Sequence, residues 1–86
     1  MTRRQFYKLQ IGDQVRLLED VPGRYSGYGP NPEFTAKAGD IVTIESGKLP
    51  QIWESEVREH GKYFLNASHP DWKNGLHLVA SEVEKV

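Results

Sequence analysis

Eighty-six residues with eleven basic and twelve acidic side chains, a net charge of −1 and no cysteine define one small domain, 1–86, without disulfides, zinc fingers or thiol chemistry. Hydrophobic residues make up 37% and charged residues 27%, which is too apolar for a disordered chain and too balanced for broad phosphate binding. The longest apolar run is a few residues, which predicts no membrane span, and the absence of cysteine and of an apolar leader predicts a cytoplasmic protein.

Residues 1–8 carry a basic pair, Arg3-Arg4, and no periodic apolar face, which predicts a flexible, solvated N-terminal arm. Gly12-Asp13 is a turn signal, after which Val15 and Leu17 alternate with Gln14 and Arg16 as a half-buried strand. Residues 19–35 hold Pro22, Pro30 and Pro32 with Gly23, Gly27 and Gly29. They read as one long loop in which Tyr25, Tyr28 and Phe34 are set.

Ala38-Gly39-Asp40 is the next turn, and Ile41-Val42-Thr43-Ile44 is a β-branched strand with Val42 and Ile44 on one face. Residues 52–67 predict a hairpin turning at His60-Gly61, with Val57 and Phe64 on the core side and Tyr63 outside. Glu and Arg in 53–60 also suit a helix, but the His-Gly pair favours the hairpin. Residues 68–74 read as a loop punctuated by Pro70 and Asn74-Gly75. Leu76 and Leu78 then share a strand face, Ala80-Ser81-Glu82 makes a short helical turn, and Val83–Val86 closes as a last strand. Five short strands with no long helix predict an all-β domain, and a small barrel leaves the fewest exposed edges.

Two of these stretches resemble Src-homology-3 domains. Residues 36–46, AKAGDIVTIES, resemble the turn that feeds one of that family's strands, and residues 75–86, GLHLVASEVEKV, resemble its closing strand, 3-10 turn and final strand. Tyr63-Phe64-Leu65 stands where the family has an aromatic pair, and 19–35 stands where it has its long loop after the first strand. The resemblance implies a five-stranded SH3-like barrel with a short 3-10 turn before the last strand. The family's Ala-Leu-Tyr-Asp-Tyr strand is replaced by Val15–Glu19, and its Pro and Tyr near the 3-10 turn are missing from Leu78–Glu82. Polyproline recognition is therefore not carried over, since it needs an aromatic-lined groove. The pattern is closer in style to short stand-alone bacterial and phage SH3-like proteins, some of them accessory subunits.

The expected function is a non-enzymatic protein-binding module or accessory subunit, a monomer or weak homodimer without cofactor. Partner contacts are expected from Tyr25, Tyr28, Tyr63 and Trp72, because Tyr and Trp combine large buried area with a polar tip. Trp53 and Trp72 are also expected to cap the barrel ends and fill a small core. The alternative is a nucleic-acid- or ribosome-associated barrel using Arg3, Arg4, Lys8, Arg24 and Lys37. His60, His69 and His77 match no metal spacing and read as surface histidines. Ser68, His69 and Asp71 are too close in sequence to converge as a triad, and Gly27 and Gly29 lack the helix and lysine of a phosphate loop.

Overall fold

The computed structural model describes residues 1–25 and 28–86, with side chains described outside 25–32. The chain is mostly β, with eight strands, two short α-helices and one 3-10 turn among the described residues. In chain order these are α1 (Arg3–Tyr7), β1 (Gln14–Leu17), β2 (Val21–Tyr25), β3 (Tyr28–Ala36), β4 (Ile41–Ile44) and β5 (Leu49–Pro50). After them come α2 (Glu54–His60), β6 (Tyr63–His69), β7 (Trp72–Leu78), the 3-10 turn (Ala80–Glu82) and β8 (Val83–Lys85).

The predicted alternation sets the main sheet. Val15 and Leu17 on β1, Val42 and Ile44 on β4, Leu76 and Leu78 on β7 and Val83 on β8 are buried, while the residues between them face out. β1 lies between β4 and β8, and β4 hands on to β6, all antiparallel. β6 carries β7 on one edge. Its other edge is shared, with Ser68 and Ala67 on β4 and Phe64 and Tyr63 on β5. Among the described residues no ladder joins β7 to β8, and the sheet is open.

Four expectations change. Residues 1–8 are not a solvated arm, because Arg3–Tyr7 is helical and Phe6 is fully buried in the core. Thr2 Oγ1 accepts the Gln5 N–H and Gln5 Oε1 accepts the Thr2 N–H, a reciprocal cap that starts the helix. The long loop 19–35 is largely a two-stranded sheet, β2–β3, with Val21 facing Ala36 and Pro22 facing Thr35. Its register shifts between Pro22 and Gly23 and again between Arg24 and Tyr25. Both strands of such a ribbon are edges, where prolines without amide donors are tolerated.

The hairpin expected at His60-Gly61 is the end of α2. Glu54 and Glu56 occupy its first turn and Arg58 and His60 its last, in the sense that favours the helix dipole. Gly61 follows at φ 97°, its N–H bonded to the Val57 carbonyl at 2.9 Å, so a glycine that suggested a strand turn is a helix stop. With that turn gone, the phase of β6 shifts by one residue. Leu65 and Ala67 face the core, and Phe64 lies on the outer face against His77. The loop expected at 68–74 shrinks to Pro70-Asp71, and β7 begins at Trp72.

Candidate functional site

Of the four aromatics expected to make partner contacts, Tyr63 and Trp72 lie at opposite ends of β6. Trp72 braces the fold: its Nε1–H donates to the Arg24 carbonyl at 3.0 Å, and its ring stacks on Phe34 at 5.2 Å between centroids. A Cβ at Gly23 would stand 2.8 Å from that Nε1, so a glycine on β2 is what lets the indole lie flat on the hairpin. Tyr63 meets the edge of Tyr7 at 5.4 Å and lies under the Lys48 ammonium. Trp72 pairs with His69, six residues along β6 from Tyr63, which separates the two by about 20 Å. Tyr25 and Tyr28 face each other across β2–β3, and their side chains lie outside the described residues.

Tyr63, expected on the outer face, is half-buried on the Leu65 side of β6, and a different apolar patch forms beyond its strand partner Pro50. β5 pairs Pro50 with Tyr63, and the Gln51 N–H bonds to the Lys62 carbonyl at 2.8 Å. The backbone is thus pinned as far as Gln51, and Ile52 and Trp53 stand clear of the sheet at the head of α2. Ile52 is 84% exposed and Trp53 70% exposed. Trp53 was expected to help fill the core; it does the reverse. It occupies the N-cap position of α2, where its carbonyl accepts the Val57 N–H at 3.1 Å but its side chain makes no capping bond, so the indole serves neither helix nor core. Each such side chain forgoes about 1.5–3 kcal/mol that burial would supply. Isolated exposed apolar residues are ordinary, whereas these two are adjacent and follow closely on the exposed Pro50, which makes a local apolar patch.

The basic residues of the nucleic-acid alternative are spread over separate elements. Arg3 Nη2 donates to the Glu59 carbonyl at 2.9 Å, and Lys37 pairs with Asp20 at 3.6 Å. Arg24 sits on β2 with its Nε buried and without a hydrogen-bond partner. Arg4 and Lys8 are exposed on or beside α1. Arg3 and Lys37 are thus already engaged within the chain.

Two histidines differ from the surface groups expected. His69 has a side chain only 7% exposed, with its Nε2 at 2.8 Å from Asp40 Oδ2. Its Nδ1 accepts the Asp71 N–H at 3.0 Å, which places the ring proton on Nε2, donating to the carboxylate. Both nitrogens are thereby engaged, and Ser68 Oγ donates to the Thr43 carbonyl at 3.5 Å. This cluster ties β6 to the turn before β4. The hydrogen bond from His69, then that from the Lys37 N–H, hold the Asp40 carboxyl below its usual range. Among the described residues no three His, Asp or Glu side chains gather in a way that could hold a metal ion.

His77 alternates outward from Leu76 and Leu78 as expected, but it is covered by Phe64 at 4.4 Å between rings. Burial, with the Arg24 guanidinium second, brings its pKa down to about 4 from 6.5. Glu82 moves the other way. Burial and the Glu19 carboxylate raise it, against the Val79 N–H that it accepts at 2.9 Å. Because the unfolded chain takes up the His77 proton first, stability should fall as pH drops from about 6.5 toward about 4. Glu82, whose folded form keeps its proton longer, opposes that trend at the acid end. His77→Gln should flatten the decline in urea denaturation followed across this range. An unchanged pH slope in that variant would assign the decline to another group.

No family model, curated protein or solved structure matches this chain in comparison with known proteins.

Proposed function

We propose that this chain is a non-enzymatic protein-binding module, or small accessory subunit, that holds its partner through Pro50, Ile52, Trp53 and Tyr63. The observation that carries this reading is the exposed pair Ile52–Trp53 beside a pinned strand and helix. Tryptophan is the residue most often found at the energetic centre of an interface, and a rigid backbone lowers the entropy lost when it docks. Tyr25 and Tyr28 remain a second proposed contact element on the β2–β3 hairpin.

An SH3-like barrel is the proposed frame. In support are the strand order β8-β1-β4-β6-β7, the long hairpin between β1 and β4, and the 3-10 turn before β8. α1 and α2 are additions to that frame, and the contact surface lies on the segment where α2 is inserted. No helix among the described residues is long and apolar enough to cross a membrane, and the proposed setting is cytoplasmic.

The test is capture of partners by immobilised wild-type protein and by Ile52→Ala/Trp53→Ala. Both positions are exposed, so the variant should keep its circular dichroism and stability within about 0.5 kcal/mol, yet bind about tenfold or more weakly. Equal capture by a well-folded variant rejects the assignment. A parallel Tyr25→Ala/Tyr28→Ala chain reports on the hairpin independently.

A further inference from the structure

The Ile52–Trp53 projection has a counterpart elsewhere on the molecule. Between α1 and β8 runs a groove with a volume of about 450 Å³, within the range of sites that enclose a ligand group. Met1 and Leu9, both packed against the core, give it an apolar lining. Its acidic members are engaged, since Asp13 accepts the Gln10 N–H at 2.8 Å and Glu84 pairs with Arg16 at 3.2 Å. The Lys8 and Lys85 ammoniums, which also line it, have no ion-pair partner among the described residues. The groove thus offers an apolar bed with a basic rim.

The projection carries the opposite charge. Glu54 follows Trp53 directly, is exposed, and likewise has no ion-pair partner among the described residues. The C-terminal end of α2, the helix that the projection heads, and the groove lie on different sides of α1. Arg3 and Tyr7 approach Gly61 at the end of α2, whereas Gln5 and Lys8 line the groove toward β8.

We propose that Ile52–Trp53 of one copy seats in the α1–β8 groove of a second copy, with Glu54 meeting Lys8 and Lys85. The inference rests on the reading of Ile52–Trp53 as a contact surface and names its occupant. The contact joins two different patches, so it is head-to-tail, and a bound pair still presents one free projection and one free groove. It is small, which places it among weak, rapidly exchanging contacts.

Sedimentation velocity over a range of concentrations tests it with three chains: wild type, Ile52→Ala/Trp53→Ala, and Lys8→Glu/Lys85→Glu. All substituted positions are exposed, and circular dichroism verifies folding. Wild type should gain mass with concentration, more so at low salt, because the Glu–Lys part is screened. Each variant alone should associate about tenfold or more weakly. Their equimolar mixture should form a species that stops at two chains, since one intact projection and one intact groove remain. A wild type that stays at the mass of one chain overturns the proposal, as does a lysine variant that assembles like wild type. In either case, capture of a different partner that is lost in the Ile52/Trp53 variant and kept in the lysine variant preserves the contact-surface reading.

Discussion

Phe6→Ala is expected to lower the unfolding free energy by about 3–5 kcal/mol and the thermal midpoint by at least about 10 °C. The side chain is fully buried among residues from several strands. Its truncation forfeits the transfer energy of the ring and leaves a cavity that so small a core has little freedom to close. For a domain of this length, total stability is on the order of 4–13 kcal/mol, so the loss would be a large share of it. The effect also spreads. A five-residue helix cannot hold itself in water, and α1 persists because Phe6 anchors it from the core. The Arg3 bond to Glu59 and the Met1 amine bond to the Val83 carbonyl at 3.0 Å depend on that anchor. Deleting residues 1–8 should therefore cost at least as much as Phe6→Ala, and should uncover Leu9 and the neighbouring core to solvent. Urea and thermal denaturation of both variants measure this. A change within about 0.5 kcal/mol would be the signature of a solvated arm.

Why α1 escaped the sequence is instructive. Its case rests on one phenylalanine in a run that reads Arg-Arg-Gln-Phe-Tyr-Lys, too short for a 3.6-residue period to show. Where a local pattern repeats, it was readable: Val15/Leu17, Val42/Ile44 and Leu76/Leu78 point inward as their alternation requires. The 3-10 turn and the last strand follow from the Ala-Ser-Glu break before Val83. Helix α2 has no buried residue, hence no apolar stripe to read, and its glutamates and arginine were outweighed by His60-Gly61. That misreading then chose the wrong phase for Tyr63-Phe64-Leu65, three apolar residues in succession that alternation alone cannot orient. The proposed contact surface was half legible. Tyr63 belongs to it by residue type, but the exposure of Trp53 depends on how β5 and α2 leave the sheet, a tertiary outcome absent from local pattern. Trp72 has the same residue type and the opposite role, because Gly23 and Phe34 happen to lie beneath it.

Gly61→Ala is the second large effect, with an expected loss of about 2–4 kcal/mol. Two costs combine at this position. Its backbone, at φ 97° and ψ −179°, lies outside the regions that a residue with a Cβ occupies comfortably, a strain of about 1–3 kcal/mol. The added carbon would also meet Tyr7 Oη and stand 3.1 Å from Cδ and Nε of Arg3, where α1 closes on the end of α2. Overpacking of that kind costs about 1–3 kcal/mol, and a gain of about 0.4–1 kcal/mol from the stiffer unfolded chain offsets part of the sum. Asparagine rescues many helix stops because it tolerates the left-handed helical region. It should do no better than alanine here, since ψ is wrong for that region. The two costs can be separated through Tyr7, whose hydroxyl is buried without a hydrogen-bond partner. Tyr7→Phe alone should be neutral or mildly stabilising, since it removes an unpaired polar atom, and it clears the space beside Gly61. In the Tyr7→Phe background, Gly61→Ala should lose the Tyr7 part of its collision cost and keep its strain, giving a coupling of about 0.5–3 kcal/mol in a double-mutant cycle. Strict additivity would mean that the backbone angle alone demands the glycine, and that α1 rests on α2 with room to spare.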